Sequence, residues 1–359
     1  MDLFDLALLA VAFLVILVGA ELFTNGIEWF GHKLNLAEGA VGSVLAAVGT
    51  ALPETMIPIV AILFPSAGGT TATAEGVGVG AILGAPFMLA TLAMFVTGVA
   101  VLFQARTRPT GDRMLINSDV VGKDIRYFLV AYSVALAAAF LPSGAGIARL
   151  GVAGLLLVIY GFYVRAHFIA DPDIDAADLA PLRFRHLDVG VPRHERATPR
   201  LRIVNFQVIV ALALIVGGAV VFVDAVEHLS TAFAIPAAVL ALVIAPIATE
   251  LPEKFNSVIW VRQAKDTLAM GNITGAMVFQ SCIPTVVGLV FAADTWTIAN
   301  ASKETWLAFG SAAIAFASVA AIFVPMMRRG TLTGRGLLVG GGFYAAYLLL
   351  VGAFLVGLF

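Results

Sequence analysis

The chain has 359 residues, of which 60% are hydrophobic and 12% charged, with a formal net charge of −2 and a mean hydropathy of +0.99. Soluble domains run at about 45–50% apolar and about 25% charged residues, so this composition specifies a membrane protein, and the absent basic surplus argues against nucleic acid as a partner. A single cysteine, Cys282, rules out an intrachain disulfide and a cysteine-rich metal centre.

The opening run "MDLFDLALLAVAFLVILVGAELF" has no positive leading segment and is too long for a signal-peptide core, which predicts a first membrane span and no cleaved leader. Crossing about 30 Å of hydrocarbon takes about 20 helical residues. Windows of that kind fall at 5–23, 39–64, 76–103, 126–142, 147–168, 204–227, 236–261, 267–293, 304–326 and 336–358. The expected fold is therefore an all-α membrane protein of ten transmembrane helices. Lys33, the group from Arg106 to Arg126, the group from Arg165 to Arg202, Arg262, Lys265, Arg328, Arg329 and Arg335 all fall on one side of such a layout. Only Arg149 and Lys303 fall on the other. The positive-inside rule then places both termini outside and the loop 170–202 in the cytoplasm, of what we read as the cytoplasmic membrane of a prokaryote.

The chain repeats itself. Laying Gly19–Glu54 on Gly218–Glu253 without a gap pairs Glu28 with Glu227, Thr50 with Thr249, Pro53 with Pro252 and Glu54 with Glu253. After an eight-residue insertion in the first copy, Glu75 meets Asp266, Gly80 meets Gly271 and Gly84 meets Gly275. The expected units are a first five-helix repeat at 1–169, a linker at 170–202 and a second repeat at 203–359. Five spans is an odd number, so the copies are expected to be inverted, an arrangement typical of secondary transporters with a site at the repeat interface.

The chemistry concentrates in "VGTALPETMIP" (Val48–Pro58) and "ATELPEKFNSV" (Ala248–Val258). Pro53 and Pro252 each remove a backbone hydrogen bond and are expected to break their helices. Thr50 and Glu54, like Thr249 and Glu253, are four apart and share a helix face. Hydroxyl, carbonyl and carboxylate oxygens are the ligands of hard cations such as Na+ and Ca2+. A bare pair of anions in hydrocarbon is too costly to persist, so the two glutamates are expected to hold cations or protons. Glycine-punctuated segments follow, "GVGVGAILGAPF" and "MGNITGAMVF", whose small residues let helices approach closely. Asn272 adds an amide oxygen in the second copy where the first has Ala81. Glu250 and Lys254 stand in the favourable order for a helical ion pair and are expected to neutralise each other.

"GTALPE", "ATELPE" and "GNITGAMVF" resemble the two alpha repeats of the sodium/calcium exchanger branch of the calcium/cation antiporters, with motifs near 42–88 and 241–280. The resemblance implies that Glu54 and Glu253 bind Ca2+, that Thr50 and Thr249 assist, that Asn272 lies in the same shell, and that exchange proceeds by alternating access. It implies transported Ca2+ and Na+, no cofactor, and no partners beyond the bilayer and inorganic cations. The chain departs from the motif at Ala51, Glu250, Ala248, Ala81, and at the triplets Gly84-Ala85-Pro86 and Gly275-Ala276-Met277. These losses favour H+ coupling as the alternative to Na+. A channel or an intramembrane enzyme is disfavoured, the latter because no nucleophile–base pair is evident. Glu21, Glu75, Asp224 and Asp266, near span ends, are expected to be solvated or interfacial and not to ligate the ion. The loop Asp171–Asp178 lacks the Gly and Glu of a calcium-binding loop. The histidines, His32, His167, His186, His194 and His228, fall outside the span centres.

Overall fold

The computed structural model describes residues 3–34, 51–64, 71–142, 144–168, 179–188, 199–298, 303–329 and 331–358, excepting the side chains of 3–6, 53, 71–72, 245–256, 259 and 328–329. The described chain is helical almost throughout. Helices α1 (Leu3–Lys33), α2 (Leu52–Leu63), α3 (Thr71–Met88) and α4 (Met94–Gln104) come first, α3 and α4 being joined by a π-helical turn, Leu89–Ala93. Next are α5 (Ser118–Ala137), α6 (Gly146–Phe168), α7 (Leu201–Phe233), α8 (Ala237–Arg262) and α9 (Asp266–Phe291). Helices α10 (Lys303–Arg329), α11 (Gly334–Leu337) and α12 (Val339–Leu355) complete the bundle. Two short strands, β1 (Arg113–Met114) and β2 (Leu332–Thr333), pair antiparallel.

Seven helices among the described residues are long and apolar enough to cross a membrane. They fall in α1, α3–α4, α6, α7, α9, α10 and α11–α12. Three expected windows lie elsewhere: 39–64 is described only from residue 51 onward, and 126–142 and 236–261 fall on α5 and α8. Helix α5 starts eight residues before the expected window because Asn117 caps it, its Oδ1 accepting from the amides of Asp119 (3.0 Å) and Val120 (3.3 Å).

Two of the proline expectations come out differently. At Pro53 the helix begins instead of bending. Pro53 is the second residue of α2, where its missing N–H would have had no intrahelical acceptor. Helix α8 runs from Ala237 to Arg262 through Pro252 without interruption, so the expected break there is not seen. Each proline removes one hydrogen bond, and this helix of 26 residues continues through both Pro246 and Pro252. The irregularity in the first repeat lies further along, in the π-turn after Pro86.

Helices α1 and α7 form one panel and run antiparallel. A side chain added at Gly19 would strike Ile215 and the Ala211 carbonyl, and one added at Gly218 would strike Ile16 and the Ala12 carbonyl. Glycine at both positions is what lets the two backbones meet. At one end of this panel the segment 179–188 is strapped down. Asn25 Nδ2 and Trp29 Nε1 donate to the Ala180 carbonyl at 3.2 and 2.8 Å, while Asn25 Oδ1 accepts from the Arg183 amide at 3.0 Å. Gln207 completes the strap, its Oε1 accepting from the Phe184 amide at 2.9 Å.

Each end of the remaining bundle is closed by a buried arginine. Arg108 bonds Asp266 Oδ2 at 2.7 Å with both side chains 1% exposed, and it also donates to the Val261 and Arg113 carbonyls. At the opposite end Arg149, 1% exposed, donates to the carbonyls of Leu141, Ala293 and Trp296. Helix-end carbonyls out of reach of water need such donors. Asp266 is thus not solvated, contrary to expectation, and Glu75 is held too, accepting from Thr295 Oγ1 at 2.6 Å.

Removing one partner from a buried pair strands the other. Arg108→Ala is expected to destabilise the protein by about 3–5 kcal/mol, whereas the double change Arg108→Met with Asp266→Leu recovers most of that loss. Thermal unfolding of the purified variants in detergent checks this, and an Arg108→Ala midpoint equal to the parent's overturns it.

Candidate cation site

The glycine runs converge four helices. Gly78 of α3 faces α2, where an added Cβ would overlap Ile62 and approach the Pro58 carbonyl at 3.4 Å. Gly80, on the other side of α3, packs directly on the backbone of Ala238 in α8, leaving no room for a Cβ beside the Ala238 carbonyl. Helices α2, α8 and α9 also contact one another. In the antiparallel hairpin α8–α9, Ser257 Oγ lies 3.4 Å from the Ala269 carbonyl. Counting back along α8 and forward along α9 from that contact puts the backbones of Glu253 and Asn272 at closely matching heights.

Glu54 stands in the first turn of α2 and is 5% exposed. A helix N-terminus presents unsatisfied N–H groups and a partial positive charge, which favours an anion there. The neighbouring Thr55 hydroxyl is turned back onto the Ala51 carbonyl at 2.9 Å, so it belongs to its own helix. Asn272 of α9 is half-buried, and its Nδ2 has no hydrogen-bond partner among the described residues. Ala81 is 3% exposed and packs in an apolar cluster with Ile57, Val60 and Ala241, offering no ligand. Thr50, and the side chains of Pro53, Thr249, Glu250, Pro252, Glu253 and Lys254, lie outside the described residues. Glu54 and Asn272 thus stand on helices that contact each other and that contact α8, whose backbone carries the second motif.

A family model described as sodium/calcium exchanger protein matches residues 4–168 and 204–356. The chain belongs to the sodium/calcium exchanger family. Among solved structures, an H+/Ca2+ exchanger named CAX aligns over 99% of this chain and 86% of its own, with a TM-score of 0.73 and 14% identity. The sodium-calcium exchanger NCX_Mj aligns over 97% of this chain and 99% of its own, at 0.55 and 15%. Native YfkE aligns over 98% and 92%, at 0.60 and 13%. At these identities the likeness is one of fold. MJ0091, an uncharacterized membrane protein of Methanocaldococcus jannaschii, is 40% identical over 58 residues, which is 16% of this chain and 19% of that protein. The exchanger family consists of integral membrane transporters, not enzymes, and membership supports cation antiport.

Several functional-looking groups in this exchanger-family chain escaped the sequence reading. Gln280 of α9 is 1% exposed and neither side-chain polar atom has a partner among the described residues. Asp124 and His167 meet in the interior, because α5 starts early enough to carry Asp124 into the bundle. The signal available for Asp124 is an acid two residues before the apolar window at 126–142. Arg149, one of the two positive charges counted on the less basic side, is a buried structural donor.

The packing of α3 on α8 gives a position-specific prediction. Gly80→Ala pushes a methyl into the Ala238 backbone and is expected to cost about 1–3 kcal/mol and to impair cation uptake. Gly76→Ala places its Cβ 3.6 Å from the Ala238 methyl, an ordinary contact, and is expected to be neutral or slightly stabilising. Unfolding midpoints and uptake rates of the two variants decide the matter; equal behaviour would show that the approach of α3 to α8 is not tight.

Proposed function

We propose that this chain is a secondary antiporter that exchanges Ca2+, or a similar divalent cation, for Na+ by alternating access. The observation that carries the reading is the burial of Glu54 in the first turn of α2, on helices that pack against α8 and against the helix bearing Asn272. In this reading Glu54 and Glu253 supply the charge, Asn272 supplies an amide oxygen, and Thr50 and Thr249 assist through hydroxyl or carbonyl oxygens. Two carboxylates match one divalent cation in charge, and oxygen donors match a hard ion in type.

The ten-span, inverted-repeat layout belongs to the same proposal, with repeats at 1–169 and 203–359 and the linker 170–202 on the cytoplasmic side, both termini being outside. Its support is the reciprocal packing of Gly19 and Gly218, equivalent positions in the two copies, on helices that run in opposite directions. A pseudo-twofold axis in the membrane plane produces that kind of pairing.

A second reading, in which protons replace sodium, is favoured by the missing ligands. Ala51, Ala81, Ala85 and Ala276 stand where the family motifs carry Ser or Asn, and Ala81 is packed in an apolar cluster. A monovalent cation needs a shell of several oxygens, whereas a proton needs one carboxylate. The Glu250–Lys254 pair points the same way if the ammonium occupies space near the second motif.

Uptake of radioactive calcium into proteoliposomes under separately imposed Na+ and H+ gradients distinguishes the readings. Glu54→Gln and Glu253→Gln are each expected to abolish gradient-driven uptake, more than 100-fold by the usual cost of losing a ligand charge, about 3 kcal/mol or more. Near-parental uptake in either variant refutes the shared site. Asn272→Ala is expected to weaken calcium binding about tenfold in calorimetry, close to one hydrogen-bond-scale contact; unchanged affinity would make Asn272 a packing residue.

A further inference from the structure

A second polar cluster joins α5, α6 and α9 within the bundle, apart from the cation site. Asp124, 1% exposed, lies two turns into α5, and His167, 7% exposed, lies at the end of α6. His167 Nδ1 is 3.1 Å from the Tyr163 carbonyl. A carbonyl only accepts, so Nδ1 carries the hydrogen of the neutral ring and Nε2 carries the lone pair. That lone pair faces Asp124 Oδ1 at 3.1 Å. Two acceptors at this distance repel unless a proton lies between them, and one added proton turns a buried net charge of −1 into a neutral ion pair.

The other oxygen of Asp124 reaches the cation-site helix. Thr274 Oγ1 of α9 is 2.6 Å from Asp124 Oδ2 and 3.0 Å from the Met270 carbonyl. A hydroxyl has one hydrogen and serves one of these acceptors at a time. An unneutralised carboxylate takes it as a charge-assisted bond. Once His167 is protonated the pull of Asp124 weakens, and the hydroxyl is freed for the Met270 carbonyl, a bond of the kind that bends helices. Met270 immediately precedes Gly271 and Asn272. Among the described residues the groups facing the pair are few. The Tyr163 phenol neighbours Asp124, the Tyr160 ring packs beside that of Tyr163 with Cys282 near by, and the Lys123 ammonium, next to Asp124 in sequence, donates to the Ala166 carbonyl at 3.3 Å. Asp119, Arg126 and Arg165 on α5 and α6 are exposed, and Asp266 on α9 is tied to Arg108.

We propose that Asp124 and His167 form a proton-binding site, and that the proton held there resets the turn of α9 bearing Asn272 through the single hydroxyl hydrogen of Thr274. The effect on transport rests on the antiport reading above; the proton site itself does not. The cluster makes cation affinity respond to the pH at the end of the bundle where α6 finishes.

Nitrogen-15 NMR of the purified protein in detergent tests this without transport, with His167→Gln assigning the His167 signal. His167 Nε2 is expected to take up one proton as the pH falls, and the backbone amides of Gly271 and Asn272 to shift with the same midpoint. In Thr274→Val the histidine still titrates and the amide shifts vanish; Thr274→Ser keeps both. In proteoliposomes the apparent calcium affinity of the parent changes about tenfold across that midpoint, within the usual range of coupling between sites, and less than about twofold in Thr274→Val. A His167 that shows no protonation step while the protein stays folded, or amide shifts that persist in Thr274→Val, overturns the proposal. Absence of gradient-driven uptake in the parent defeats the antiport reading alone, and the NMR result still decides the proton site.

Discussion

A backbone polar group removed from water must find a partner inside the protein, and in hydrocarbon there is no exception to soften the rule. The irregular parts of this bundle are arranged around that constraint. Where α8 ends, the Val261 carbonyl is met by Arg108, and the guanidinium is in turn neutralised by Asp266 at the start of α9. Where the chain turns at the other end, Arg149 gathers carbonyls from two loops that are far apart in sequence. The π-turn at Leu89–Ala93 exposes the Ala90 carbonyl, and Ser318 of α10 donates to it at 2.6 Å. Each of these side chains fixes the position of one helix relative to another, so satisfying the backbone and setting the geometry of the bundle are the same act.

That fixed frame is what allows the centre to be built from small residues. Glycines have no side chain to anchor them, and α3 touches α8 backbone to backbone at Gly80 and Ala238. Such contacts hold only if the ends of the helices are held elsewhere. The panel of α1 and α7 is different in kind. Its two helices meet through Gly19 and Gly218, and it is tied at one end to the segment 179–188 by amides and an indole, with the ion pair of Glu21 and Arg183 exposed at the rim. Charged groups lock the interior of the bundle, while neutral hydrogen bonds secure the panel. Neutral bonds of this type contribute about 1 kcal/mol each, weaker ties than a buried pair.

How much of this was legible in the sequence depended on whether the signal was local. Apolar length marked the helices, and the twofold recurrence of Thr-x-Leu-Pro-Glu marked where the chemistry lies, because a charge inside an apolar helix needs no tertiary knowledge to look out of place. Helix starts were misjudged where a cap and not hydropathy decides them, as at Asn117. The proline rule failed at Pro252 because a helix of 26 residues keeps enough other backbone bonds to continue past its two prolines. The burial of Arg149 and Asp266, both near expected span ends, was not legible, since burial of a charge depends on partners over 100 residues away, Ala293 for one and Arg108 for the other. The Asp124–His167–Thr274 cluster was invisible for the same reason: three helices contribute one residue each.

The charge balance at the cation site bears on which counter-ion the proposed antiporter uses. In the proposed site the two carboxylates, Glu54 and Glu253, are neutralised by one divalent cation, by two monovalent cations or by two protons, and any other occupancy leaves net charge in a low dielectric, where even at an effective dielectric of about 20 unit charges 4 Å apart interact by about 4 kcal/mol. The site therefore favours exchange in which charge is conserved locally. Sodium meets that condition only if each ion finds several oxygens, and this chain has replaced four of the polar motif positions with alanine, one of which, Ala81, is sealed in an apolar cluster beside Ile57 and Val60. Protons meet it with the carboxylates alone. The loss of ligands thus narrows the sodium route without touching the proton route or the divalent one. A bundle that also buries Asp124 and His167, a single hydroxyl away from the helix of Asn272, has a second place where one proton changes the charge near its core.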